Sequence, residues 1–163
     1  MEATNPVRAA AAADPDVDLS GDADWTTLDA KSLVGESLRF VSGDPEGSRF
    51  RVRYFRDARQ HLCARIWFGP ETEGPPGHAH GGSIAAAMDE ALGLAAWAEG
   101  YPVLVANLNV SFRAMLPLRR VVTLESRVVG AEGRKVTVRG RIVGSEDMIY
   151  AEGQALCITI PGQ

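Results

Sequence analysis

The sequence predicts an α+β domain in which one antiparallel sheet wraps a single long buried helix. Three observations carry this. Residues 50–55 and 62–68 alternate with period two, and residues 82–98 are Ala-rich and apolar almost all round. Four more strand-like stretches, joined by short turns, follow that segment. Consecutive strands with short turns imply antiparallel pairing, and one buried helix implies a sheet that curls around it. The chain has 163 residues, 45% hydrophobic and 23% charged, which suits one globular domain and excludes a wholly disordered chain.

Taken in order, residues 1–23 read as a disordered acidic tail, because Ala and Asp without large apolar groups bury too little surface to offset ordering entropy. Residues 24–163 form the single domain. Asp24-Trp25-Thr26-Thr27-Leu28-Asp29 reads as the opening of a short helix with Asp24 as its cap. In the first two strands Phe50, Val52 and Tyr54, then Leu62, Ala64, Ile66 and Phe68, mark one face, and residues 56–60 supply the turn. Residues 69–77 are too rich in Gly and Pro for any helix or central strand. Seven of the sixteen residues 83–98 are Ala, and Gly100 with Pro102 beyond it closes the helix. The remaining strands read as 103–116, 121–129, 134–143 and 148–160, with turns at 130–133 and 144–147.

Charge is unevenly placed. Residues 1–30 hold seven acids and one base, a net of −6 within a chain of −4, so residues 31–163 come to +2. A nearly neutral folded part gives no footprint for nucleic acid. Two cysteines, Cys63 and Cys157, are too few for a disulfide framework and read as small buried side chains. Asp89 and Glu90 interrupt the best apolar stretch, and the five alanines at 9–13 make a poor secretory core, so the expectation is a cytoplasmic domain with no membrane partner.

Chemistry concentrates at two places. Pro76-Gly77-His78-Ala79-His80-Gly81-Gly82-Ser83 opens the helix, where unpaired N–H groups and partial positive charge suit a developing oxyanion. A plain Gly-rich helix entry fits those residues equally well. Asp89 and Glu90 stand side by side in the same helix, about 100° apart, so at most one faces a given site. Buried carboxylates are costly unless paired or functional, while a solvated stripe would carry both without cost. Asp89 lies nine residues past His80, about 13–14 Å along the axis and about half a turn round it. If they work together, two chains with antiparallel helices must share the site, which argues for a homodimer.

Gly-Pro-Pro-Gly-His-Ala-His-Gly-Gly-Ser-Ile-Ala-Ala-Ala-Met-Asp (74–89) resembles the signature of the PaaI-like hotdog acyl-CoA thioesterases, and more narrowly is similar to that of thioesterase superfamily members four and five. The resemblance continues through Ala-Asn-Leu-Asn-Val-Ser-Phe (106–112), Glu-Gly-Arg-Lys (132–135) and Tyr-Ala-Glu-Gly-Gln-Ala-Leu-Cys-Ile (150–158), and covers roughly residues 50–160. It implies hydrolysis of an acyl-CoA or acyl-carrier-protein thioester to acid and thiol, with coenzyme A as part of the substrate and no separate cofactor. It implies that His80, Gly81 and Gly82 polarise the thioester carbonyl and that Asp89, from the partner subunit, is general base or nucleophile. It implies that Asn107, Ser111, Arg113, Arg134 and Lys135 bind substrate, the basic groups against phosphates. It also implies a homodimer or a dimer of dimers. One position departs: relatives often carry Thr or Ser before Ala-Asn-Leu-Asn to hold the attacking water, and here Val105 stands there.

Two rivals in the same fold are a thioester hydratase or dehydratase, whose His–Asp or His–Glu motif is not found, and a non-hydrolytic acyl-CoA sensor. Residues 1–49 offer no basic helical pattern for a DNA-binding unit of such a sensor. His78 and His80 are two apart, but three His in all and no convergent carboxylate argue against a metal site. His61 with Cys63 reads as packing rather than a base and nucleophile, and Trp25, Trp67 and Trp97 read as core or interface.

Overall fold

The computed structural model describes residues 14, 16–36 and 38–162. Seven strands form one sheet in the order β1-β2-β3-β5-β6-β7-β4, with antiparallel neighbours throughout. They are β1 (Thr26–Thr27), β2 (Phe50–Arg56), β3 (Leu62–Phe68), β4 (Val103–Phe112), β5 (Arg120–Glu132), β6 (Lys135–Val143) and β7 (Ile149–Thr159). A short helix α1 (Ala30–Val34) and the long α2 (Gly81–Ala98) complete the fold. The predicted sheet around a buried helix is the architecture found.

The sheet accepts the helix because two strands lack side chains where it lies. Gly140 and Gly153 face each other across β6 and β7. A Cβ on Gly140 would come within 2.6 Å of Leu92, and one on Gly153 within 2.9 Å of Met88. Met88 and Leu92 are fully buried in that trough, beside Ala87, Ala91 and Ala96. Small helix residues thus let α2 approach the sheet, and two large ones lock it there.

Several boundaries differ from the sequence reading. Residues 24–29 are extended: Trp25 packs on Phe55 at 5.4 Å, Leu28 N–H bonds Tyr54 O, and Thr26 and Thr27 pair with β2. The helix starts later, with Asp29 rather than Asp24 as its cap. Of the predicted tail, residues 1–13 lie outside the described residues. Residues 20–22, however, lie against the sheet, with Arg65 reaching Ser20 O and the Asp22 carboxylate and Gly21 beside Phe55. The β5–β6 turn is Gly133-Arg134, with Gly133 at φ 57°, as a two-residue hairpin turn with Gly in its first central place requires. Gly130 is instead a strand residue beside a bulge at Val129. The long helix ends at Ala98 with Glu99 as its cap, and Gly100 at φ 92° follows as the left-handed residue beyond the cap.

β4 stops at Phe112, four residues earlier than predicted. Arg113 and Ala114 N–H both turn onto Tyr150 O, and Leu116 O accepts Ala79 N–H at 2.8 Å. Residues 114–118 therefore brace the approach to α2 instead of extending the sheet. On the other side His80 N–H bonds Thr72 O at 2.7 Å. The start of α2 is clamped between two loops.

Candidate active site

His80 caps α2, its ring Nδ1 accepting the Gly82 N–H at 2.8 Å. That bond requires an unprotonated Nδ1. Ser83 and Ile84 N–H both reach His80 O. Gly81 N–H is left as the first-turn donor with no acceptor among the described residues. His78 stands apart, its Nδ1 2.9 Å from Pro76 O.

Asp89 and Glu90 diverge as the helical geometry demands. Tyr54 Oη, from the buried face of β2, donates to Glu90 Oε1 at 2.8 Å. Asp89 has no hydrogen-bond or ion-pair partner among the described residues, and desolvation raises its pKa above the ordinary Asp value of 3.8. It lies at the wall of a cavity of about 980 Å³ between α2, the inner face of β4 and the segment that follows α1. Val105 and Leu108 of β4, with Leu38, Phe40 and Val41, make most of the opposing wall apolar. That segment was missed in the sequence; the apolar Leu38, Phe40 and Val41 between two loops were the available signal.

Val105 is beside Gly93, with its Cγ2 3.5 Å from where a Cβ on that glycine would stand. Its methyl groups offer the cavity no hydrogen bond. Directly after Val105, Ala106 bulges out of the β4–β7 ladder, which sets Asn107, Asn109 and Ser111 on the outer face while Leu108 and Val110 point inward. Gly81 lies against Phe112 and Gly93 against Val105, so α2 runs antiparallel to β4.

A model of the thioesterase superfamily matches residues 76–151. Acyl-coenzyme A thioesterase THEM4 of Xenopus laevis is 36% identical over 123 residues, which cover 75% of this chain and 55% of that protein. The chain carries a thioesterase superfamily domain. A crystal structure described as a thioesterase superfamily protein aligns with the hotdog domain at TM-score 0.65 and 26% identity, over 72% of this chain and 58% of that one. A Streptococcus mutans protein solved bound to acetyl CoA aligns at TM-score 0.59 and 16% identity, over 61% and 81% of the two chains. The chain spans about half the length of the curated relatives it matches.

Within one protomer of this hotdog domain the expected site residues do not converge. Gly81 and Asp89 are eight helical residues apart, about 12 Å along the axis. Arg113 follows the Phe112 end of β4 and pairs with Glu152 at 2.9 Å. Arg134 and Lys135 lie at the level of Leu104, at the opposite end, with Arg134 donating to Thr159 O. Those two ends are separated by about 27 Å of strand. Asn107 and Ser111 sit on the outer face of β4, away from the cavity. His61 and Cys63 are not set up as base and nucleophile: burial pushes the Cys63 thiol up to about 12, and the His61 ring faces the Asp57 carboxylate, its Nδ1 3.8 Å from Oδ2. Among the described residues no group of three or more His, Cys, Asp and Glu side chains is placed to hold a metal, and no helix is long and apolar enough to cross a membrane.

Proposed function

We propose that this protein hydrolyses acyl-CoA thioesters at two sites shared across a homodimer, with Asp89 as general base and the Gly81 N–H of the facing chain as oxyanion donor. The observation that carries the reading is the pairing state of adjacent carboxylates. Glu90 is occupied by Tyr54, while Asp89 is unpartnered and desolvated in an apolar cavity. A carboxylate kept in that state is disposed to take a proton.

In the reaction, Asp89 removes a proton from water, whose oxygen attacks the thioester carbonyl carbon. The carbonyl oxygen gathers negative charge beside Gly81 N–H, at the positive end of α2. The C–S bond then breaks, the thiolate leaves with a proton, and the acid remains. Direct attack by Asp89, giving an acyl-enzyme anhydride that water then opens, uses the same two groups.

A two-chain site is supported by the 12 Å gap, which no small reacting group spans. It is also supported by β4, an edge strand with Leu104 66%, Phe112 55% and, just beyond it, Met115 58% exposed. A two-fold axis near Val110 of β4, level with the midpoint between Gly81 and Asp89, sets the helices antiparallel. Each Gly81 then faces the other Asp89, and the Arg113 end of one chain meets the Arg134 end of the next. Asn107, Ser111, Arg113, Arg134 and Lys135 then border one groove able to take the nucleotide of coenzyme A or the phosphopantetheine of a carrier protein. The Streptococcus mutans neighbour bound to acetyl CoA supports the first of these substrates.

Gly81→Pro deletes the donor N–H while proline remains welcome at the first helical position, and His80 already has the extended backbone that precedes proline. Mixing Gly81→Pro chains with Asp89→Asn chains tests the shared site. Each variant alone is inactive, and each mixed dimer regains one of its two sites. No recovery once subunit exchange is verified contradicts the arrangement.

A further inference from the structure

We infer that Asp89, Gly93 and Trp97 form a blind acyl channel along α2, and that Trp97 limits the acyl chain to about eight carbons. The inference rests on the proposed hydrolysis at Asp89 and specifies its substrate class as medium-chain acyl thioesters.

The three residues are spaced by four, so they share one face of the helix, and all three line the same cavity. Gly93 is the informative one. Glycine is among the worst mid-helix residues, its φ here is not in the left-handed region, and a Cβ would meet only Val105 at an ordinary 3.5 Å. Neither backbone nor packing requires a glycine. What its missing side chain leaves is open space immediately past the Asp89 carboxylate. At the far end the Trp97 Nε1–H donates to Val103 O at 3.0 Å, which holds the indole across the channel. Leu94, Val105 and Leu108 supply apolar walls, and Glu90, the other carboxylate at this wall, is already bonded to Tyr54.

Length follows from helix rise. Asp89 to Trp97 is about 12 Å between Cα atoms, and helical side chains lean toward the N-terminus, so the indole occupies the last few ångströms. About 9–10 Å remains, and an extended chain advances about 1.2 Å per bond, which gives the eight carbons.

The test is kcat/KM for thiol release across straight-chain acyl-CoAs from four to sixteen carbons, for the parent, Gly93→Leu and Trp97→Ala. The parent is expected to peak near eight carbons and to fall about tenfold or more by twelve. Gly93→Leu moves the peak to about four carbons, and Trp97→Ala moves it to about twelve. Should Trp97→Ala fail to fold, Gly93→Leu reads the channel from its other end. Unchanged profiles in the variants, or a parent peak at fourteen to sixteen carbons, overturn the channel while leaving hydrolysis intact. If the parent cleaves no thioester, hydrolysis falls, and thermal shift with octanoate decides the channel separately. Octanoate should then raise the Tm of the parent and not of Gly93→Leu; equal shifts, or none, overturn it.

Discussion

Tyr54 and Glu90 are joined by a 2.8 Å hydrogen bond between a buried strand and the middle of α2. Burial and the neighbouring carboxylate push the Tyr54 phenol well above its ordinary value, so it stays the donor at every working pH. Glu90 is therefore a structural acceptor. Glu90→Gln keeps a side-chain carbonyl for that bond and is expected to hold kcat within a few-fold of the parent. Tyr54→Phe leaves Glu90 unpaired and is expected to cost about 1–3 kcal/mol in chemical denaturation, again with kcat nearly intact. A large kcat loss in Glu90→Gln moves the base to Glu90.

In the proposed mechanism Val105 offers the attacking water no hydrogen bond, which leaves Asp89 as its polar holder on that wall. Val105→Thr is close in shape and adds one hydroxyl beside Gly93. One hydrogen bond of about 1 kcal/mol predicts a gain in kcat of about five-fold. A loss of rate in a folded Val105→Thr shows that the wall must stay apolar.

Arg113 and Arg134 test the shared groove. Each single Ala variant is expected to raise KM for acyl-CoA by about tenfold with little change in kcat, since phosphate contacts are made equally in ground and transition states. A truncated thioester without the nucleotide should be hydrolysed by both variants at the parent rate. Equal losses on both substrates identify the arginines as structural, through the bonds to Glu152 and Thr159 O already present in one chain.

Burial pushes the Cys63 and Cys157 thiols up to about 12 and about 11. Since the thiolate is the reactive form, neither should be alkylated by iodoacetamide at pH 8 in the folded protein, and both should react after unfolding. Mass spectrometry of the native sample checks this, and rapid labelling of either residue contradicts its buried placement.

The sheet, its antiparallel order and the buried helix were legible because period-two runs and an all-apolar Ala-rich segment are strong signals. Boundaries failed where tertiary contacts overrode local preference: Trp25 on Phe55 kept residues 24–29 extended, and Tyr150 O ended β4 at Phe112. In the site, the divergence of Asp89 from Glu90 followed from helical angle alone. What the sequence did not carry was pairing. Nothing in residue types says that Tyr54 reaches Glu90, that His80 takes the Gly82 N–H, or that the chain after α1 walls the cavity.

Desolvation of Asp89 also predicts a stability signature. Its pKa is raised in the folded state, so protonation favours the fold; that stabilisation is complete below the unfolded value near 3.8 and is lost as pH rises through the raised value. At neutral pH the parent buries a penalised charge that Asp89→Asn lacks. Asp89→Asn is therefore expected to have a higher Tm at pH 7, with the gap closing toward pH 3. A lower Tm at pH 7 indicates a stabilising partner for the carboxylate.

Thiol release by Asp89→Asn, measured on the best acyl-CoA across pH in a sample whose Tm confirms folding, tests the central claim most directly. As the base, Asp89 must be ionised, so the parent kcat falls as pH drops through its raised pKa. Asp89→Asn is expected to lose about 10²–10⁴ in kcat and to lose that acid limb with it. A folded Asp89→Asn that hydrolyses at near the parent rate, with the acid limb still present, contradicts the account.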